Sequence, residues 1–227
     1  MKKIQRASVG LLMTAVFAVL VSCGGDGGGA GETWSCPPWR LNDSMTYART
    51  ETVSGVPIVS TMTRTVTARA PESVTLSDGA TTKSYAVTAG IVVPLSEEAV
   101  PDPDSGFYGS SSTYGSTTAF CPPPAAGERY EYATWINGPW EGTGEEINTT
   151  LSVTAVSTEA VSTPAGGFTA RKIVMDRVSL TGSGLPWLIS TVTRYYVSGI
   201  GVVKEVEEIP ATETTITDEL AAYSFQQ

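Results

Sequence analysis

The feature that most constrains this chain is a period-two alternation of side-chain character. It recurs from Thr33 onward in a background dense in Val, Thr, Ser and Tyr. Tyr85, Val87, Ala89, Ile91 and Val93 fall on one side of an extended segment, with Ser84, Ala86, Thr88 and Gly90 opposite. Ile147, Thr149, Leu151, Val153 and Ala155 repeat the pattern against Asn148, Thr150, Ser152 and Thr154, and Trp187, Ile189, Tyr195 and Val197 share a third face. Successive side chains take opposite sides only in a strand, so these segments predict strands with one face on a core. Between them stand Ser77-Asp78-Gly79, Asn137-Gly138-Pro139, Pro164-Ala165-Gly166-Gly167, Thr181-Gly182-Ser183-Gly184 and Ser198-Gly199. These supply the positive or fixed φ that tight turns need. The expected fold is all-β, an antiparallel meander of about nine or ten strands in a curved sheet. The single helical turn predicted lies at Pro94 to Val100, with Ser96 as its N-cap and Glu97 and Glu98 behind it.

The first residues obey a different logic. Lys2, Lys3 and Arg6 precede an apolar run, Val9 to Val21, broken only by Gly10 and Thr14. That layout is a secretory signal peptide, too short to serve comfortably as a lasting membrane span. Its end, Leu20-Val21-Ser22-Cys23, resembles a bacterial lipobox. The resemblance implies diacylglyceryl transfer to the Cys23 thiol, cleavage before it and acylation of the new amino terminus. Gly24 to Gly31 follows as a flexible tether, which suits an anchor better than the alternative of an ordinary secretory signal with an incidental cysteine. Two or three acyl chains hold a protein on a membrane where one does so only reversibly. Gly rather than Asp at position 24 implies, by the same resemblance, the outer membrane of a bacterial envelope, facing the periplasm or the surface.

Removing residues 1–22 takes three of the 14 Lys and Arg and leaves 11 against 23 Asp and Glu, a formal charge of −12 on 205 residues. Such a surface makes nucleic acid an improbable partner and is repelled by anionic headgroups, so membrane attachment falls to the lipid. Cys36 and Cys121 form an even pair in an oxidising compartment, in the similar settings Ser35-Cys36-Pro37-Pro38 and Phe120-Cys121-Pro122-Pro123. Joining them would close a loop of about 85 residues and stabilise by about 4.5 kcal/mol on the chain-entropy model; free thiols are the alternative. With no histidine in the chain, two isolated thiols make no closed zinc site, and neither a metal nor a cofactor is called for.

The segment 101–124 is rich in Pro, Gly, Ser, Thr and Tyr and is expected to be a long surface loop. It separates an N-terminal β region, 34–100, from a C-terminal one, 125–227, with the tether at 23–33. A faint echo between the halves, Val66-Thr67-Ala68 and Val153-Thr154-Ala155, suits a duplicated unit and chance recurrence equally. In the second half, Gly127-Glu128-Arg129-Tyr130-Glu131-Tyr132, then Ser162 to Ile173, then Arg194-Tyr195-Tyr196-Val197-Ser198-Gly199-Ile200-Gly201-Val202-Val203-Lys204 are similar to β-rich domains of TapB-type envelope lipoproteins. Their sheets resemble the half-barrel of the LolA/LolB carriers. That resemblance spans roughly Pro123 to Glu208 and implies a concave sheet able to hold an acyl chain.

Reactive constellations are scarce. Without histidine there is no Ser-His or Cys-His nucleophile pair, and no Gly-x-Ser-x-Gly elbow occurs. Asp102-Pro103-Asp104-Ser105-Gly106 lacks the spacing of a calcium loop. The carboxylates Glu141, Glu145, Glu146, Glu205, Glu207 and Glu208 read as exposed loops and strand ends. Trp135, Trp140 and Trp187 are the candidates to line a sugar or lipid groove, against a plainer role in packing or at sheet edges. The chain is therefore expected to be a lipid-anchored, non-catalytic envelope module with a structural or interaction role. The alternative is a carrier of acyl chains or lipoproteins, with a histidine-free hydrolase third.

Overall fold

The computed structural model describes residues 34–88, 91–102, 108–114, 123–138 and 143–225. Twelve antiparallel strands among them close into one barrel in which each strand neighbours the next in sequence and the last returns to the first. The first six are β1 (Ser44–Val53), β2 (Val56–Ala70), β3 (Ser73–Ser77), β4 (Thr81–Thr88), β5 (Ile91–Ala99) and β6 (Ser110–Tyr114). The second six are β7 (Arg129–Asn137), β8 (Gly144–Thr163), β9 (Gly166–Thr181), β10 (Pro186–Val197), β11 (Gly201–Ile209) and β12 (Thr214–Ser224). A 3-10 turn, Pro210–Thr212, joins the last two.

The antiparallel meander is as expected, but the sheet does not stop at a half-barrel. β1 pairs with β12 from Ser44↔Ser224 to Val53↔Thr214 and with β2 along its other edge, so the first and last strands seal each other. Strands from 34–100 and from 125–227 thus belong to one sheet. Three local expectations are corrected. Residues 94–99 are not helical but continue β5, where Glu97 turns inward opposite Lys83 on β4 and Glu98 turns out. The segment 101–124 is not all loop, since β6 lies within it and bridges β5 to β7. Residues 85–93 are two strands: Tyr85 and Val87 are buried on β4, while Val92 rather than Val93 is buried on β5.

Several turns fall where the sequence placed them. Gly79 and Gly199 take φ of 90° and 77°, a region open mainly to glycine. Asp78 secures the first of these turns by accepting hydrogen bonds from the amides of Ala80 and Thr81.

Odd-numbered strands run from the end at which residues 34–43 enter, here the near end, towards the far end. The interior changes character along that axis. Around the near half Tyr47, Val66, Tyr85, Leu151, Ile173, Met175, Val192, Tyr196 and Leu220 form an apolar core. Trp39, delivered by the entering segment, packs edge-on against Tyr85 with ring centroids 6.2 Å apart. The β8–β9 hairpin overshoots its neighbours, because β7 covers β8 only to Ser152 and β10 covers β9 only from Arg171. Its tip crosses the near end, where the Ala165 amide donates to the Leu220 carbonyl of β12 at 2.9 Å. A barrel wider than eight strands encloses more volume than one layer of side chains fills. The entering segment adds Trp39 to that interior, and the arm adds Val161, Ala165 and Phe168 against the core.

Candidate functional site

The far half of the interior is polar. Lys83 and Glu97 pair at 3.0 Å, and Glu97 also accepts from the Tyr114 hydroxyl at 2.9 Å. Arg177 reaches across β10 to Glu207 at 2.7 Å, and the same Glu207 oxygen accepts from Ser190 at 2.6 Å. Nearer mid-barrel, between Val192 and Tyr196 on the inner face of β10, the fully buried Arg194 pairs with Glu205 on β11. Arg49 holds Asp218 with two parallel bonds of 2.7 and 2.8 Å. Thr149 with Ser179, and Ser112 with Thr134, join hydroxyls between strands. A charge this deep is tolerated only when paired, and each of these buried carboxylates faces a cation.

The electrostatics follow from burial and pairing. Burial pushes the Lys83 ammonium down to about 8 against the opposing pull of Glu97. Burial likewise raises the hydroxyls of Tyr47, Tyr85 and Tyr196, with the Arg64 or Arg194 guanidinium opposing it. At Arg194 burial is the largest influence and disfavours the charge, but the Glu205 carboxylate and the Tyr196 hydroxyl together outweigh it and the guanidinium is held above its usual range. The arrangement fixes strands to one another. Among the described residues no group of three His, Cys, Asp or Glu side chains is placed to hold a metal.

The residues singled out in the sequence are dispersed. Cys23, Cys121, Trp140 and Glu141 lie outside the described residues. Cys36 is buried and disulfide-bonded. Trp135 on β7 and Trp187 on β10 both face outward, with β8 and β9 between them, so they do not line a common interior groove. The face shared by Trp187, Ile189, Tyr195 and Val197 is the outer one; the core side of β10 carries Ser190, Val192, Arg194 and Tyr196. Glu205 and Glu207, expected at an exposed strand end, are buried, and only Glu208 of the three is exposed. The signal for the missed pairs was present, in single charges alternating with apolar residues inside strongly β segments at Lys83, Arg177, Arg194 and Glu205.

On the outer wall, β6, β7 and β8 form an open groove of about 520 Å³. Thr113, Glu131, Ala133, Asn148 and Thr150 line it, with Tyr114, Tyr132 and Thr149 beneath.

Fold and interior together define a closed antiparallel barrel with a capped apolar half and an ion-paired polar half. No family model matches the chain, and no curated protein matches it. Among solved structures, a Bacteroides fragilis protein described as exported and YmcC-like in fold superposes with a TM-score of 0.51 at 16% identity. The match covers 83% of this chain and 98% of that one. A Parabacteroides distasonis protein described as a candidate lipoprotein matches at a TM-score of 0.47 and 10% identity, over 83% and 97% of the two chains. The hypothetical lipoprotein YmcC of Escherichia coli K12 gives 0.41 and 10%, over 79% and 87%. The first of these likenesses shows the fold, and it is not specific to the TapB-type or LolA/LolB half-barrel that the sequence resemblance implied.

Proposed function

We propose that this chain is an exported, lipid-anchored and non-catalytic module of a bacterial envelope, acting as a structural or interaction part. The observation that supports this reading is the closed barrel with ion pairs buried inside it. Its deep carboxylates Glu97, Glu205, Glu207 and Asp218 are each engaged by a lysine or arginine, which leaves them poorly suited to serve as an acid and a base of contrasting burial. Export is supported by the signal-like residues 1–22 and by the description of the B. fragilis protein that shares the fold. We place the lipid on Cys23, the anchor in the outer membrane, and Cys121 as the disulfide partner of Cys36.

Mass spectrometry of protein from the native host is expected to find a chain that begins at Cys23 and carries acyl mass. Non-reducing alkylation should leave Cys36 and Cys121 unlabelled. An unmodified Cys23, or retention of residues 1–22, would overturn the anchor.

Acyl-chain carriage is the weaker reading, because the aliphatic and tyrosine side chains that would line a trough pack against one another inside the barrel. Delipidated protein is expected to leave a fluorescent fatty-acid probe quenched by water. Saturable protection of that probe would restore the carrier.

A further inference from the structure

We infer that the outer-wall groove over β6, β7 and β8 is a binding site for a neutral oligosaccharide; this deepens the interaction-module reading and rests on it. The groove's volume of about 520 Å³ lies within the range of small-ligand sites. Its centre is small, with Ala133 between Thr113 on β6 and Asn148 on β8, the two residues directly opposite it in the sheet. Larger polar side chains stand around that low point and bond to one another. Arg129 pairs with Glu131 at 2.9 Å and also donates to the Thr150 hydroxyl at 3.4 Å. Asn148 donates through Nδ2 to Glu146 at 3.0 Å. A carboxylate, an amide and two hydroxyls therefore surround a methyl floor, a mixture of donors and acceptors that matches hydroxyl groups.

The second component is aromatic. Trp135 projects from the same face of β7 two residues beyond Ala133, and it is 41% exposed. Its ring lies so close over Gly144 that a Cβ there would come within 2.7 Å of Cε2 and Nε1, so the absence of a side chain at 144 allows the indole to rest in that position. Trp135 thus stands beside the groove rather than in its lining, leaning towards Asn137 and Gly144, where its exposed indole offers an apolar plane to the C–H face of a sugar unit that extends past the groove.

Other ligand classes fit less well. From Tyr132 to Ile136, β7 is paired on both sides, so the groove has no free edge for strand addition by a peptide. Glu131 and Glu146 on an acidic protein oppose an anionic ligand. The groove is open to solvent and polar at its rim, which fails to shield an acyl chain from water.

Saturation-transfer NMR on the folded protein with maltotetraose, cellotetraose, chitotetraose and mannotetraose, each at millimolar concentration, tests this. At least one is expected to show transfer, strongest at the ring C–H protons. Ala133→Trp, which fills the groove from an outward position, should abolish it, and Trp135→Ala should weaken binding about tenfold. Circular dichroism and thermal melting establish that both variants fold, and Asn148→Ala serves if Ala133→Trp does not. Transfer from none of the four, transfer unchanged in the filled groove, or binding only to an anionic oligogalacturonate would each overturn the proposal. Lipidation of Cys23 is measured separately and stands or falls on its own.

Discussion

Replacing Arg194 with Met is expected to cost the folded protein about 3–5 kcal/mol, the range for removing one partner of a buried ion pair. Arg194 has no exposed surface, and its partner Glu205 is also buried. Deleting the guanidinium leaves a carboxylate beside Asp218, the residue directly opposite Glu205 on β12, with Arg49 as the cation already committed to Asp218. Two buried acids would then share one cation. The double variant Arg194→Met/Glu205→Leu should recover most of the loss, because apolar residues of similar volume replace a buried pair at little or no cost. Urea denaturation of the two single variants, the double variant and the wild type gives the coupling energy directly. A single variant within about 1 kcal/mol of wild type would mean that Arg194 is not the counter-charge that permits Glu205 to be buried.

The same pair shows where the sequence was legible and where it was not. On β8 the alternation Ile147, Thr149, Leu151, Val153 marked the buried face, and those four side chains are all buried. The pattern then breaks at Thr154, where the register with β9 slips between Val153 and Ala155, and Ala155 is exposed. On β10 the identical reasoning chose the wrong side. Trp187, Ile189, Tyr195 and Val197 are the more apolar set, yet the set with Ser190 and Arg194 faces the core. Apolar-inward patterning presumes an apolar interior, and this barrel buries charges in its far half and, at Arg194, beside the apolar core itself. β6 was hidden for the same reason. Its inward residues are Ser112, bonded to Thr134, and Tyr114, bonded to Glu97, so a strand made of Ser, Thr and Tyr read as loop.

The outer groove was legible only in part. Trp135 stood out as an aromatic candidate, but Trp187 is three strands away and the remaining members of the site are unremarkable residues on other strands. Thr113, Ala133 and Asn148 meet because Thr113↔Ala133 and Ala133↔Asn148 are register pairs. Register follows from which residues of each strand face the core, and a slip of one residue would turn each of them inward. No local pattern carries that information.

Stability should rise as pH increases from about 8 towards 10 and then fall. Lys83 has its folded pKa lowered to about 8, while the same ammonium in the unfolded chain titrates near 10.5. Between those values the unfolded chain binds a proton that the folded protein does not, so unfolding becomes less favourable as pH rises. Below about 8 both states hold the proton, and the folded state bears the full cost of a buried ammonium, of order 3 kcal/mol. The opposing limb belongs to tyrosines. Burial raises the hydroxyls of Tyr47, Tyr85, Tyr114, Tyr130 and Tyr196, so above pH ~10 the unfolded chain sheds protons that the folded protein retains, and stability declines. Lys83→Met should lose the rising limb and keep the falling one, and Glu97 retains the Tyr114 hydroxyl as a donor in that variant. Urea midpoints measured from pH 7 to 11 separate the two limbs. A wild-type profile that is flat or falling between 8 and 10, or an equal rise in Lys83→Met, would show that this lysine is not the group whose buried charge opposes folding at neutral pH.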